Sequence, residues 1–269
     1  MRDKNFIDNL NWEDKAKKNP LFAIMSDSVF ENKTGKQFTE EDLKIFYKKG
    51  EYLWDKWISS TYARLKREKS DDITVAEYGC GMGRLLYQAD KRVSKSIGVD
   101  ISDTQIELAK EFMPEQKNVS FVKVVPGEPI NIDNQVVDLF YSFAVLQHIK
   151  SRKNLFFALD EMVRTLRPGG YLCLQTRFLN YQGSNGKFIP VVDKLGEKSS
   201  LALVLRRIYG LFYLPQIKHN KHTHWGGAGC YLSPRRLNKY LKKKHGITPV
   251  EIRYEVGSDI ILSAFKLPT

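Results

Sequence analysis

Val75-Ala76-Glu77-Tyr78-Gly79-Cys80-Gly81-Met82-Gly83-Arg84 is the stretch whose reading decides the fold. Ile73 to Ala76 supply a β-branched, apolar run suited to a buried strand, and Arg84 to Ala89 can start a helix once the glycines end. Glycines serve such a turn in two ways: they accept positive φ, and without a Cβ they let a ligand lie against the backbone. A helix beginning there adds free N–H groups and the positive end of its dipole. The spacing predicts a nucleotide-sized binding turn, with an ordinary tight turn as the alternative.

The next strand decides between the two. Lys95-Ser96-Ile97-Gly98-Val99-Asp100 ends in a carboxylate about 20 residues after the first motif, where an acidic side chain grips ribose hydroxyls. Nicotinamide-binding turns prefer Gly-x-Gly-x-x-Gly, because a pyrophosphate must sit on the helix N-terminus and an acid beside it would repel it. Here the order is Gly79-x-Gly81-x-Gly83, with Glu77 two residues before the first glycine. A carboxylate at that strand end suits a ligand that brings an ammonium group and no phosphate.

On these residues the chain resembles the class I S-adenosylmethionine-dependent methyltransferases, whose first motif carries this acid and these glycines and whose second ends in the ribose-binding acid. The resemblance continues through Val136 to Ser142, similar to the family's fourth strand, Phe143 to Ile149, similar to the segment after it, and Leu166 to Leu172, similar to the turn into its fifth. It implies an α/β fold, a doubly wound seven-stranded sheet of order 3-2-1-4-5-7-6 with the last strand antiparallel. It also implies S-adenosylmethionine as cofactor, with Glu77, Gly79, Cys80, Gly81, Gly83, Asp100, Ile101 and Ser142 around it. One departure concerns adenine: the turn after the third strand is Val124-Val125-Pro126-Gly127-Glu128-Pro129, so that contact falls to Glu128 or to a backbone group.

Residues 1–70 read as a helical N-terminal cap. Phe6, Ile7, Leu10 and Trp12 form one apolar face, Thr39-Glu40-Glu41-Asp42 reads as an N-cap with an acidic first turn, and Gly50 as a C-terminal stop. A further helix is expected over Glu51 to Lys69. Asn11 to Ile24 and Phe46 to Gly50 are similar to the leader of a large bacterial methyltransferase group, many of whose members tailor glycans or small metabolites. That likeness implies a leader folded over the cofactor, with Tyr47 and Trp54 covering it.

Residues 71–269 form the methyltransferase domain in this reading. Ser102 to Gln105 is a capping box opening a helix to Met113, Val119 to Val125 a third strand, Lys153 to Arg167 an amphipathic helix stopped by Pro168-Gly169-Gly170, and Tyr171 to Gln175 a fifth strand. Ser233-Pro234 opens a last helix to Lys244, followed by strands Val250 to Glu255 and Asp259 to Lys266. Alternating strands and helices predict a parallel sheet with right-handed crossovers and a ligand beyond the strands' C-terminal ends.

Between the fifth strand and that helix, residues 177–231 are too long for a simple crossover and read as a basic lid or substrate insertion. Ser200 to Pro215 is an apolar helix split by Arg206 and Arg207, suited to a lid, a homodimer contact or a membrane surface carrying a lipid-linked substrate. His219, His222 and His224 are three of the chain's five histidines. The His222-x-His224 pair has ligand-type residues but no evident third ligand, so no metal is assigned and a substrate-contacting loop is expected.

The chain has 269 residues and is 42% hydrophobic, enough for a full core. Cys80, Cys173 and Cys230 are widely spaced with no Cys-x-x-Cys pair or Cys/His cluster, so neither a disulfide framework nor a zinc site is suggested and a reducing cytoplasm is the expectation. No signal-type segment or run of 18 apolar residues is present, so neither secretion by a signal peptide nor a membrane span is expected. The net charge of +12 favours anionic partners.

The sulfonium of the implied cofactor is already electrophilic, so the protein has to align an acceptor and exclude water. For a hydroxyl acceptor a base takes the proton, and His148, just after the fourth strand, is the candidate, with His222 and His224 arriving from the insertion. An amine acceptor needs none. Arg177 and Lys187 are candidates to hold an anionic substrate. The function expected is methyl transfer to a hydroxyl or amine of a small-molecule or glycan-type acceptor, phosphorylated or lipid-linked forms included. The alternatives are an RNA methyltransferase, favoured by charge but lacking an Asn/Asp-Pro-Pro-aromatic signature, and a non-catalytic S-adenosylmethionine-binding protein.

Overall fold

The computed structural model describes residues 12–25, 27–31, 33, 36–68, 72–114, 118–149, 151–177, 234–255 and 260–269. The seven strands β1 (Thr74–Tyr78), β2 (Lys95–Asp100), β3 (Val119–Lys123), β4 (Val137–Ser142), β5 (Leu166–Arg177), β6 (Thr248–Glu255) and β7 (Ile260–Lys266) form one sheet of order β3-β2-β1-β4-β5-β7-β6. The first five pair in parallel, and β7 runs antiparallel between β5 and β6, as expected.

Both faces of the centre are covered, and period-two alternation divides the side chains between two cores. Ala76 and Tyr78 of β1 with Phe140 of β4 pack under α7 (Arg152–Thr165) and α8 (Pro234–His245), against Leu155, Leu159, Leu237 and Leu241. Val75 of β1 with Leu139 and Tyr141 of β4 face the opposite way, toward Trp54, Trp57 and Leu65. Glu77 is in phase with Val75, so its carboxylate falls on the Trp54 side, next to Tyr141.

The chain before β1 contributes α1 (12–18), α2 (Pro20–Met25), α3 (Glu40–Leu53) and α4 (Ser59–Glu68). Thr39 and Asp42 cap α3 reciprocally, each side chain accepting the other's backbone N–H, while Glu40 and Glu41 meet the positive end of the dipole. Gly50 does not stop this helix, contrary to the expectation. The helix runs on through a π-helical turn, Trp54–Ile58, into α4. A Cβ on Gly50 would stand 2.2 Å from the carbonyl oxygen of Arg84, so this glycine lets the helix backbone pass directly against the end of the glycine turn. The π-turn keeps Trp54, Trp57 and Ile58 all buried against the sheet.

After β2, α6 (Asp103–Phe112) starts where Ser102 caps the Gln105 N–H. The capping box expected there is not closed: the Ser102 N–H donates to Asp100 Oδ1 at 2.9 Å instead of to the Gln105 side chain, whose Nε2 donates to the Pro20 carbonyl at 3.2 Å. The helix after the glycine turn, α5 (Leu86–Asp90), is shorter and later than the sequence pattern suggests.

Candidate functional site

The glycine turn is lashed to β2 by its own backbone. The N–H groups of Gly79 and Cys80 donate to the Val99 carbonyl at 2.6 and 3.1 Å, and that of Gly81 donates to Asp100 Oδ2 at 2.8 Å. The Ser102 N–H donates to Asp100 Oδ1 at 2.9 Å, so two backbone donors fix the carboxylate at the strand's end. Gly79 has φ +78°, and a Cβ there would meet Val145 Cγ2 at 2.2 Å. The segment after β4 therefore lies directly on the bare backbone of the turn.

These strand ends open onto a cavity of about 580 Å³, within the usual range for small-molecule sites. Glu77 and Asp100 both line it. Burial pushes the Glu77 carboxyl up to about 8, opposed by a hydrogen bond from the Tyr141 hydroxyl (3.1 Å) and by the field of Arg84. Burial likewise raises Asp100, partly offset by the N–H groups of Ser102 and Gly81. Arg84, also in the lining, is lowered to about 10 by burial, and the negative field of Glu77 acts the other way. Two carboxyls and a guanidinium thus face one enclosed space.

The roof comes from the leader. Trp12, Lys15, Ile24 and Met25 line the cavity. Glu13 on α1 accepts from Ser102 Oγ (2.6 Å), from Thr104 Oγ1 (2.5 Å) and from the Thr104 N–H (3.3 Å), tying the leader to the start of α6. These bonds outweigh burial and hold Glu13 below the ordinary glutamate value. On the other side the Trp12 indole meets the His148 ring edge-on, with centroids 5.0 Å apart.

The floor beyond β4 bends sharply. Ala144 takes φ +60°, a left-handed conformation costly for a residue with a Cβ, and its N–H donates to Gln175 Oε1 on β5. A 3-10 turn, Leu146–His148, follows, in which Gln147 Nε2 stands 3.4 Å from His148 Nε2.

The structure brings together most of the residues singled out from the sequence: Glu77, Gly79, Cys80, Gly81, Asp100, Ile101, Glu128 and His148 all line the cavity. Gly83, Ser142, Tyr47 and Trp54 stand outside that lining. Gly83 faces the Met113 sulfur, and the Ser142 hydroxyl donates to the Tyr78 carbonyl (3.0 Å). Tyr47 is packed in the core with its hydroxyl on the Met82 carbonyl (3.0 Å), and Trp54 is 1% exposed against Tyr141. On the leader side the cavity is lined by Trp12, Ile24 and Met25 instead of the expected Tyr47 and Trp54. His222, His224, Lys187 and the Arg177 side chain lie outside the described residues, as does the Ser200 to Pro215 segment. Glu13, Arg84 and Gln175 were not foreseen, although Arg84 sits in the opening motif itself. Among the described residues no group of ligand-type side chains is arranged to hold a metal, and no helix is long and apolar enough to cross a membrane.

Residues 76–174, from β1 to β5, match the family profile described as a methyltransferase domain. Phosphoethanolamine N-methyltransferase 3 of Arabidopsis thaliana is 26% identical over 113 residues, 42% of this chain and 23% of that protein. A tRNA U34 carboxymethyltransferase of Saccharophagus degradans is 32% identical over 130 residues, 47% of this chain and 37% of that protein. The matched regions therefore span well under half the length of these two relatives. Among solved structures, an S-adenosylmethionine-dependent methyltransferase from Methanosarcina mazei superposes with a TM-score of 0.53 at 17% identity, covering 74% of this chain and 94% of that one.

Proposed function

We propose that this chain, whose residues 76–174 form a class I S-adenosylmethionine-dependent methyltransferase domain, transfers a methyl group from that cofactor to a hydroxyl or amine of a small-molecule or glycan-type acceptor. The observation that carries this reading is the placing of Glu77 and Asp100 on adjacent strand ends, flanking bare glycine backbone, at the wall of one roofed cavity.

The residues fit the cofactor. Asp100, fixed by two N–H groups, keeps lone pairs for ribose hydroxyls. Glu77 and Arg84 would face the ammonium and carboxylate of the amino-acid end, a zwitterion matched by an opposed pair. Ile101 and Glu128 would border the adenine. Once bound, the cofactor supplies an electrophilic methyl on a sulfonium centre.

The protein's own part is alignment and exclusion of water. The leader supplies the roof, and Val145 against Gly79 sets the distance between the acceptor side and the cofactor turn. His148 would take a hydroxyl proton at a ring nitrogen, a role supported by its position in the cavity lining and by the Trp12 ring held edge-on against it. Part of the same proposal is the division into a cap, residues 1–70, and a domain, 71–269, in which 177–231 is an inserted lid carrying His222 and His224.

A second reading, transfer to RNA, is favoured by the +12 charge. Methyl-labelled cofactor incubated with the protein and a cell extract separates the two. Label recovered in small molecules or glycans supports the first reading, and label in the RNA fraction supports the second.

A further inference from the structure

Gln175 is 2% exposed, lines the cavity, and uses only its carbonyl end in the described contacts. Its Oε1 accepts from Ala144, and this sets the orientation of the amide, because a backbone N–H needs the oxygen and not the nitrogen as its partner. The Nε2 group has no acceptor among the described residues. Its two hydrogens are what Gln175 can offer to the cavity.

The place of this donor matters. Gln175 restrains Ala144 in a left-handed turn at φ +60°, and the next residue, Val145, packs against the backbone of Gly79. His148 follows three residues later, with its N–H on the Val145 carbonyl at 2.8 Å. One short strained segment therefore links the Gln175 amide, the glycine turn and the candidate base.

Resting on the function proposed above, we infer that Gln175 binds the methyl acceptor directly, and that the acceptor is an oxygen nucleophile: a hydroxyl, phenol or carboxylate. An oxygen has two lone pairs, so it can accept a hydrogen bond from Nε2 with one and attack with the other. A neutral amine nitrogen has a single lone pair, and a donor aimed at it would block the attack. In the transfer the new O–C bond forms as the C–S bond breaks, with its electron pair staying on sulfur as a neutral thioether. The proton of a hydroxyl goes to His148, and a carboxylate has none to lose.

Gln175→Glu isolates the donor once its carboxyl is ionised, since the carboxylate still accepts from Ala144 and presents no hydrogen, so its transfer is compared with wild type at rising pH. Gln175→Leu removes both roles. Wild type and both variants are titrated with S-adenosylhomocysteine, then given methyl-labelled S-adenosylmethionine and the small-molecule fraction of a cell extract. The chemical class of the labelled product is read by mass spectrometry. The inference predicts O-methyl product, unchanged affinity for S-adenosylhomocysteine, which also shows the variant to be folded, and transfer reduced about tenfold or more in Gln175→Glu where its carboxyl is ionised. N-methyl product, or wild-type transfer by Gln175→Glu, overturns it while leaving the cofactor reading intact. Failure of wild type to bind S-adenosylhomocysteine overturns that underlying reading instead.

Discussion

Trp12 and His148 meet edge to face across the mouth of the cavity, 5.0 Å between centroids at an interplanar angle of 72°. One residue belongs to the leader and the other to the turn after β4, so this contact closes the roof on one side. Glu13 closes it on the other, through Ser102 and Thr104.

An edge-to-face pair contributes about 0.5–1.5 kcal/mol beyond its buried area. Trp12→Leu is therefore expected to weaken S-adenosylhomocysteine binding by about three- to tenfold, with little change in melting temperature, because the contact lies over the site and not in the core. Hydrogen exchange of residues 12–25 checks the cause: their protection should fall in the variant.

Gly50→Ala tests whether packing overrides helix propensity. Alanine at an interior helix position gains about 1 kcal/mol over glycine. Here the new Cβ would lie 2.2 Å from the Arg84 carbonyl, and relieving that overlap costs about 1–3 kcal/mol. The variant should be less stable in urea denaturation. A variant more stable than wild type would show that α3 can move away from the glycine turn.

Asp138 is fully buried, accepting from the Thr74 N–H at 2.9 Å and from Arg167 at 3.0 Å. Asp138→Ala orphans a buried backbone donor at the start of β1. The loss should be about 2–4 kcal/mol in urea denaturation, larger than for exposed ion pairs such as Lys110 with Glu107.

Glu77 gives the site a pH dependence. Its folded pKa, about 8, lies above the unfolded value, so its protonated form dominates in the ligand-free site at neutral pH. The associated stability is fully present below the unfolded pKa and is lost as pH rises through about 8. An ammonium ligand favours the carboxylate, so binding should release a proton and tighten as pH rises from 6 toward 8. Glu77→Gln should bind more weakly and lose this dependence. Calorimetry in buffers of differing ionisation enthalpy measures the proton count.

Much of the cavity wall formed by the strand ends was legible in the sequence because its signals are local. Glu77, the glycines and Asp100 sit within two strand-to-turn junctions, and Thr39 and Ser102 declare helix starts by residue type. The roof was not legible. Glu13 reaches Ser102 and Thr104 across 89 and 91 residues, and nothing in a charged helix says which carboxylate docks. Gly50 carries the same lesson: its sequence context reads as a helix stop, but its cause is the Arg84 carbonyl from a distant turn. Tyr47 and Trp54 share helical spacing whether they face a ligand or a core, and only tertiary packing separates the two.

The central claim is that Asp100 and Glu77, on neighbouring strand ends, hold the adenosyl ligand. Titration of wild type and Asp100→Asn with S-adenosylhomocysteine in the calorimeter tests it most directly. The account predicts one site in wild type and an affinity about 10- to 100-fold lower in Asp100→Asn, the loss expected when charged acceptors for ribose hydroxyls are neutralised. No heat with wild type, or equal affinity in the two proteins, would contradict it.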